Sequence, residues 1–348
     1  MSGFAICGDF YGQTITGIQR VAYETAAELD KIAGKGEIEV IVPEDAQGVP
    51  EYQNLKVVRI SAEKGKRHLW IQVHFPKYLR KNRKTGITIC NEAPLFRPGI
   101  AYIHDIYYKL FPKDFSGMKE KVSRAVVLII YRAVAKRAKR IVTDSQTSRE
   151  EIMNTYRVKP ERISVIYPGW QHILNTQGDD GIFEKFPAIR KHEYYFTLGS
   201  LSKRKNVKWI IDYAAKHPAE QFLLSGKVHD FFPDQKPPAN VILLGYVSDG
   251  EMISLMKRCK AFVFPTLYEG FGIPPLEALA LGAEIIVSNR SCLPEVYRDT
   301  AHYFDPDADG TELSEVLKTP VGDPQKLLSF YTWERAAKDL YDLIKAFS

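Results

Sequence analysis

The chain has 348 residues, more than one hydrophobic core usually serves, so two domains of roughly 150 to 180 residues each are expected. Hydrophobic residues make up 45% and charged residues 26%, ordinary globular values that exclude collagen-like, disordered and membrane-array classes. The formal charge of +6 comes without a zinc-finger, helix-turn-helix or RNA-binding signature, which argues against nucleic acid as a partner.

The N-terminal stretch "MSGFAICGDFYGQ" has neither a basic lead nor an apolar run of signal-peptide length. No window reaches the ~18 uncharged apolar residues that span a bilayer, so a cytoplasmic protein is expected. Short apolar runs then alternate with helical patterns, the mark of a parallel sheet covered by helices on both faces. Strands are expected at 4–10, 38–43, 56–60, 87–90, 100–105, 140–145 and 163–168. Residues 18–31 and 119–139 carry helical apolar stripes, the second with a basic polar face. Thr147 and Glu150 have the spacing of a capping box.

Three basic runs, "KGKRH" (64–68), "KYLRKNRK" (77–84) and "KRAKR" (136–140), fall in this half. They suit an anionic membrane surface or an anionic lipid-linked substrate, or they form a plain solvated face. After the first strand come Gly8, Gly12 and Gly17. Their spacing is not the G-x-G-x-x-G fingerprint, yet the turn at Gly17 can admit a phosphate. His104 and Asp105 close the strand at 100–105. A histidine there either touches a substrate hydroxyl or phosphate or does structural work.

From about 168 to 192 the pattern lapses into turn formers and charge, which reads as a linker. A second series follows, with strands at 194–200, 221–226, 241–247, 261–266 and 284–289, helices at 205–216, 249–259 and 275–281, and a closing amphipathic helix at 332–347. The expected architecture is therefore α/β, two tandem Rossmann-like domains over residues 1–170 and 171–330. Residues 331–348 would form a helix packing back towards the first domain. Ligands of open parallel sheets bind outside the carboxyl ends of the strands, so the site is expected where two such sheets face across a cleft.

Cys7, Cys90, Cys259 and Cys292 are scattered with no C-x-x-C pair, which implies free thiols rather than disulfides or zinc. The run "DPDADG" (305–310) imitates half of a calcium loop, but its twelfth position is Val316, so no metal is expected there.

Two stretches carry the chemistry. In "LGSLSKRKNVKWII" (198–211), Lys203, Arg204 and Lys205 stand between a strand end and a helix start. Cations there oppose the helix dipole but suit a pyrophosphate. In "FPTLYEGFGIPPLEALALGA" (264–283), Glu269 is followed by Gly270, Phe271 and Gly272, then by Glu277 within a helix that Pro274 and Pro275 open. Glycines let a ligand approach the backbone, and a helix start offers unpaired N–H groups. Carboxylates beside them can accept pairs of sugar or ribose hydroxyls. The plain alternative is that Glu277 serves the helix dipole and Glu269 faces water.

The "YEGFG-x-P-x-LEALA-x-G" block, the "RKN" element, the "TGIQR" loop, the "HD" strand end, the "VTDSQTSREEI" helix start and the closing "TWERAAKDLYDLI" resemble, in order, the retaining glycosyltransferases of sequence family four. That resemblance implies the GT-B fold and transfer of a sugar from a nucleotide-sugar donor to a glycan or lipid-linked acceptor, in bacterial surface polysaccharide synthesis. Carried over, it implies that Glu277 holds the donor ribose. Glu269 with Gly270, Phe271 and Gly272 would hold the transferred sugar, Lys205 and Arg204 the leaving diphosphate, and Gly17 would allow close approach. His104, with Asp105, would lie near sugar and acceptor. The nucleotide-sugar is a substrate, and neither cofactor nor metal is expected. Many relatives have an arginine where this chain has Ser200, a departure that Arg204 would offset. A same-fold epimerase or phosphorylase and a non-catalytic nucleotide-sugar-binding subunit remain as alternatives. Localisation is expected to be cytoplasmic, at the inner face of a membrane.

Overall fold

The computed structural model describes residues 3–62, 65–199, 202–226 and 237–347. The chain divides into two compact units. Unit 1 comprises the residues up to Gly169 together with those from Tyr331 onward, and unit 2 comprises Trp170–Phe330. Ser200 lies outside the described residues.

Unit 1 contains seven strands: β1 (Phe4–Cys7), β2 (Ile38–Pro43), β3 (Lys56–Ile60), β4 (Thr85–Thr88), β5 (Ile100–Tyr102), β6 (Arg140–Thr143) and β7 (Ile163–Val165). They pair in parallel in the order β3-β2-β1-β4-β5-β6-β7. Unit 2 holds β8 (Tyr194–Leu198), β9 (Gln221–Ser225), β10 (Val241–Gly245), β11 (Ala261–Phe264), β12 (Ile285–Ser288) and β13 (His302–Phe304). Their order is β10-β9-β8-β11-β12-β13, again parallel. Strands covered on both faces need no polar side, which is why "FAIC", "AFVF" and "IIVS" are buried throughout.

The alternating pattern thus predicts every strand but β13. That one reads "HYF", three residues between a turn and an acidic run, too short to register as an apolar stretch. The segment 168–192 is also more ordered than a linker. Gln171–Asn175 forms a short 3₁₀ turn, Ile182 and Phe183 are buried, and the Asp179 amide donates to the Gly250 carbonyl at 2.9 Å. All four cysteines are buried, and none forms a disulfide. Among the described residues no helix is long and apolar enough to cross a membrane.

Each sheet reverses its winding direction once, between β1 and β4 in unit 1 and between β8 and β11 in unit 2. At such a switch point the two following loops run to opposite faces and leave a crevice at the strand ends. Those two places are where the chemistry collects.

The last helix, Trp333–Lys345, belongs to unit 1 although the chain reaches it from unit 2. Its N-cap is Thr332, whose hydroxyl accepts from the Arg335 amide at 3.1 Å. Trp333, Ala336, Ala337, Leu340 and Ile344 recur at helical spacing and are buried. The helix packs against Gly17–Ile32, which buries Val21, Ala22, Thr25, Ala26 and Leu29. Glu37 fastens the far end, accepting from Tyr341 Oη at 2.8 Å and Lys345 Nζ at 2.7 Å. Leu340 is fully buried. Leu340→Ala is expected to destabilise unit 1 by about 2–5 kcal/mol, read as faster hydrogen exchange in β1 and β2 with β8 and β11 unchanged. Equal loss of protection in both sheets would contradict the division.

Candidate functional site

The loops after β8 and β11 flank the switch point of unit 2, and they bring Lys205, Arg204 and Glu269 into contact. Lys203–Lys205 forms a single 3₁₀ turn, and Asn206, in the left-handed region at φ 52°, starts the helix Val207–Lys216. Uncharged groups tie this turn to the loop after β11. The Leu267 amide donates to the Arg204 carbonyl at 2.7 Å, Asn206 Nδ2 donates to the Pro265 carbonyl at 3.2 Å, and Thr266 Oγ1 stands 2.9 Å from the Arg204 carbonyl. The basic turn is therefore held by backbone and neutral side-chain groups as well as by its charges.

Glu269 is only 6% exposed. Its Oε1 accepts from Lys205 Nζ at 2.6 Å and from Thr266 Oγ1 at 2.9 Å, while Arg204 Nη1 stands 3.5 Å from Oε2. Burial pushes the carboxyl up, but the Lys205 and Arg204 charges and the Lys205 and Thr266 hydrogen bonds outweigh it and hold it below the usual carboxylate value. Glu269 is therefore ionised near neutral pH. Lys205 Nζ also lies 4.9 Å from the centre of the Phe264 ring, a cation–π contact.

The glycine loop is fixed from behind. Ser291 Oγ donates to the Glu269 carbonyl at 2.8 Å, Cys292 Sγ contacts the Glu269 and Phe271 carbonyls at 3.2 and 3.4 Å, and Tyr297 Oη donates to the Gly272 carbonyl. With carbonyls engaged on that side, Gly272 turns into the helix Ile273–Ala280 at φ 90°, a conformation open to glycine. A Cβ built on Gly272 would meet Leu293 Cδ2 at 3.0 Å. Pro274 and Pro275 occupy the first turn, where a missing N–H costs little.

Glu277 is buried on that helix, and its Oε1 lies 2.7 Å from His172 Nε2. His172 was not singled out by sequence reasoning. It sits 105 residues away in the stretch read as linker, and the signal that could have found it is a histidine standing alone between apolar positions in "WQHILN". The reading of Glu277 as merely a dipole partner gives way here to a buried, paired carboxylate.

Gly17, His104 and Asp105 belong to unit 1. Gly17 is the first residue of its helix, and a Cβ there would meet nothing within 4 Å, so packing does not account for the glycine. His104 departs from the expectation that its ring reaches a substrate. It is 3% exposed, its Nδ1 lies 2.7 Å from Asp144 Oδ2, and its Nε2 lies 2.6 Å from the Ile89 carbonyl. A carbonyl and a carboxylate both require a proton, so both ring nitrogens are donors committed inside the chain. Burial lowers its pKa, yet Asp144 and the Ile89 bond raise it further, and the net direction is upward. Asp105 accepts from the Tyr107 amide at 2.9 Å and thereby shapes the short helical turn Tyr107–Leu110.

Glu269 carries a pH signature. Its folded-state pKa lies below the unfolded value of 4.5, so its stabilisation is complete above that value and is lost as pH falls through the folded one. The melting-temperature gap between the native chain and Glu269→Gln is expected to be constant from pH 7 to about pH 5 and to close below it. A gap unchanged down to pH 3 would contradict the pairing.

Comparison with known proteins places these features in a family. Residues 15–171 match the family model described as Glycosyltransferase Family 4, and residues 179–330 match Glycosyl transferases group 1. The chain is 28% identical over 234 residues to the O-antigen chain mannosyltransferase RfbU of Salmonella typhimurium, a stretch that is 65% of this chain and 62% of that one. The chain thus spans less than two thirds of that relative. Among solved structures it resembles sucrose-phosphate synthase from Thermosynechococcus elongatus, with TM-score 0.72 and 14% identity over 100% of both chains. It also resembles Anabaena Alr3699/HepE in complex with UDP, with TM-score 0.68 and 15% identity over 99% of this chain and 100% of that one. At such identities the structural likeness speaks to the fold alone, which is GT-B.

Proposed function

The chain belongs to the glycosyltransferases of sequence family four, and on that footing we propose that it moves a hexose from a nucleotide-diphosphate sugar to a hydroxyl of a glycan or lipid-linked acceptor. The pathway is the building of a bacterial surface polysaccharide, in keeping with the O-antigen relative. The observation that carries the reading is the ionised Glu269 held between Lys205 and Arg204 at the switch point of unit 2.

Breaking the anomeric C–O bond builds positive charge on the sugar and negative charge on the departing diphosphate. Lys205 and Arg204 meet the second, aided by the positive end of the Ile273–Ala280 dipole. Glu269 then has two tasks, to fix the Lys205 ammonium and to accept hydroxyls of the transferred sugar. The amides of Gly270, Phe271 and Gly272 line the same approach. Glu277 accepts ribose hydroxyls, with His172 locking its rotamer. Gly17, in unit 1, keeps the start of its own helix open to a phosphate. Given its engaged ring, His104 acts by holding the end of β5 in place rather than by touching substrate.

The acceptor oxygen bonds to C1 on the face that the diphosphate leaves, and its proton passes to a diphosphate oxygen. The anomeric configuration is thereby retained, and Glu269 serves as a positioner and not as a nucleophile. Because fixed cations do this work, no metal is needed. The basic runs of unit 1 favour peripheral contact with an anionic membrane.

A panel of UDP-, GDP- and dTDP-sugars is expected to yield one donor that raises the melting temperature by mass action. Lys205→Ala and Glu277→Ala remove that shift, and Lys205→Ala also lowers turnover by about 100- to 1,000-fold. Glu269→Ala keeps nucleotide binding and loses transfer. Full turnover in any of the three would overturn the assignment. Turnover is expected to be the same in EDTA as in magnesium, and a loss that added metal restores would refute the metal-free mechanism.

A further inference from the structure

The connection between β12 and β13 lies behind the glycine loop and bonds to that loop's backbone rather than to its side chains. Ser291 Oγ donates to the Glu269 carbonyl at 2.8 Å and stands 3.3 Å from the Glu269 amide, which donates to it in turn. Cys292 Sγ lies 3.2 Å from the same carbonyl and 3.4 Å from that of Phe271, and Tyr297 Oη donates to the Gly272 carbonyl. The carbonyls of Glu269, Phe271 and Gly272 therefore all face one wall.

Each engaged carbonyl fixes the amide that follows it. In a trans peptide the C=O and the next N–H point in opposite directions, so the amides of Gly270, Gly272 and Ile273 face away from the wall. Extended backbone would alternate the direction of successive peptides, whereas Gly272, left-handed at φ 90° and ψ 63°, lets the peptides on either side of it point the same way. Successive amides so aligned make a concave nest for an anion. Among the described residues these three amides have no acceptor within the chain.

A second feature, independent of those bonds, sets the wall apart. On the flanks of its short helix, Leu293–Tyr297, two residues hold backbone conformations that side chains seldom adopt: Ser291 has φ 53°, and Arg298 has φ 52° with ψ −120°. The Thr300 amide donates to the Tyr297 carbonyl at 2.9 Å, which makes Tyr297–Thr300 a turn with Arg298 at the position where a type II′ turn favours glycine. Its neighbours hold it there. The Arg298 amide donates to the Pro294 carbonyl at 3.1 Å, the Thr300 hydroxyl to the Tyr297 carbonyl at 2.6 Å, and the Gly322 amide to the Asp299 carbonyl at 2.7 Å. Strain over-determined in this way collects at ligand clamps, and here it fixes the residue that holds Gly272.

We propose that Ser291 and Tyr297 are positioning residues for sugar transfer: by engaging the carbonyls of Glu269 and Gly272 they aim the amides of Gly270 and Ile273, with that of Gly272 between them, at the departing diphosphate. Their part in transfer rests on the proposed transferase function; the aiming of the amides does not. The diphosphate gains negative charge as the anomeric bond breaks, so preset N–H dipoles stabilise the transition state more than the bound donor. Neither side chain needs to touch a substrate.

Ser291→Ala, Ser291→Thr and Tyr297→Phe are compared with the native full chain in two measurements. In the first, inorganic pyrophosphate is titrated against isotope-labelled protein and amide resonances are followed. The Gly270, Gly272 and Ile273 resonances are expected to move in the native chain, and Ser291→Ala and Tyr297→Phe are each expected to weaken that binding about tenfold. In the second, release of nucleoside diphosphate is measured well below the melting temperature, with the donor that the sugar-nucleotide panel selects. For the same two variants kcat is expected to fall about tenfold or more while the donor KM stays within about twofold. Ser291→Thr restores the hydroxyl but puts a β-branched side chain at φ 53°, so it is expected to melt below Ser291→Ala and yet turn over faster. Turnover that follows melting temperature across the three variants overturns the proposal and leaves the wall a scaffold. So does native kcat in both Ser291→Ala and Tyr297→Phe, or pyrophosphate that leaves the three amides unmoved. Pyrophosphate binding that weakens in the variants, beside a native chain that releases nucleotide from no donor, would sink the transferase reading and keep the aiming of the amides.

Discussion

The pair formed by Lys205 and Glu269 is the constraint on which unit 2 is arranged. Removing two charges from water is costly, and their attraction repays the cost only with good geometry and further hydrogen bonds. Both conditions are met by backbone and neutral side-chain groups. The turn carrying Lys205 is tied to the loop carrying Glu269 through the Leu267 amide and the Arg204 carbonyl, and Thr266 contributes one hydroxyl to both loops. Ser291, Cys292 and Tyr297 take up carbonyls of the glycine loop from the next β–α connection. The ion pair is therefore a result of the fold more than a cause of it, and it is ready before any ligand arrives.

Unit 1 repeats the scheme with the charges redistributed. There the cation comes from the Arg67 turn, inserted between β3 and β4, and the carboxylates follow the two central strands. A parallel sheet that reverses its winding directs successive loops apart at one place only, so each unit has a single position where side chains from two strand ends can meet above an unfilled crevice. Side chains that are costly to bury gather where that crevice lets them be useful.

How much of this was legible in the sequence depended on range. "IEVIVP" and "AFVF" announce strands because a strand buried on both faces has only apolar positions to show. Glu269 and its glycines are equally readable, since loop, helix start and carboxylate are neighbours in the chain. His172 is not, because its bond to Glu277 closes over 105 residues, and the local pattern of "WQHILN" marks a histidine without naming its partner. His104 shows the converse. Its place at a strand end is visible, but the Asp144 and Ile89 groups that absorb its ring come from other strands.

The return of Trp333–Lys345 to unit 1 has a bearing on biogenesis. Chains are made from the N-terminus, and domains generally fold as units while emerging from the ribosome. Unit 1 lacks one of its covering helices until Trp333–Lys345 has emerged, whereas Trp170–Phe330 is contiguous and can close first. Assembly order is thus inverted relative to synthesis order, and the apolar side of Gly17–Ile32 stays uncovered while some three hundred further residues are made, a period when a chaperone has something to hold.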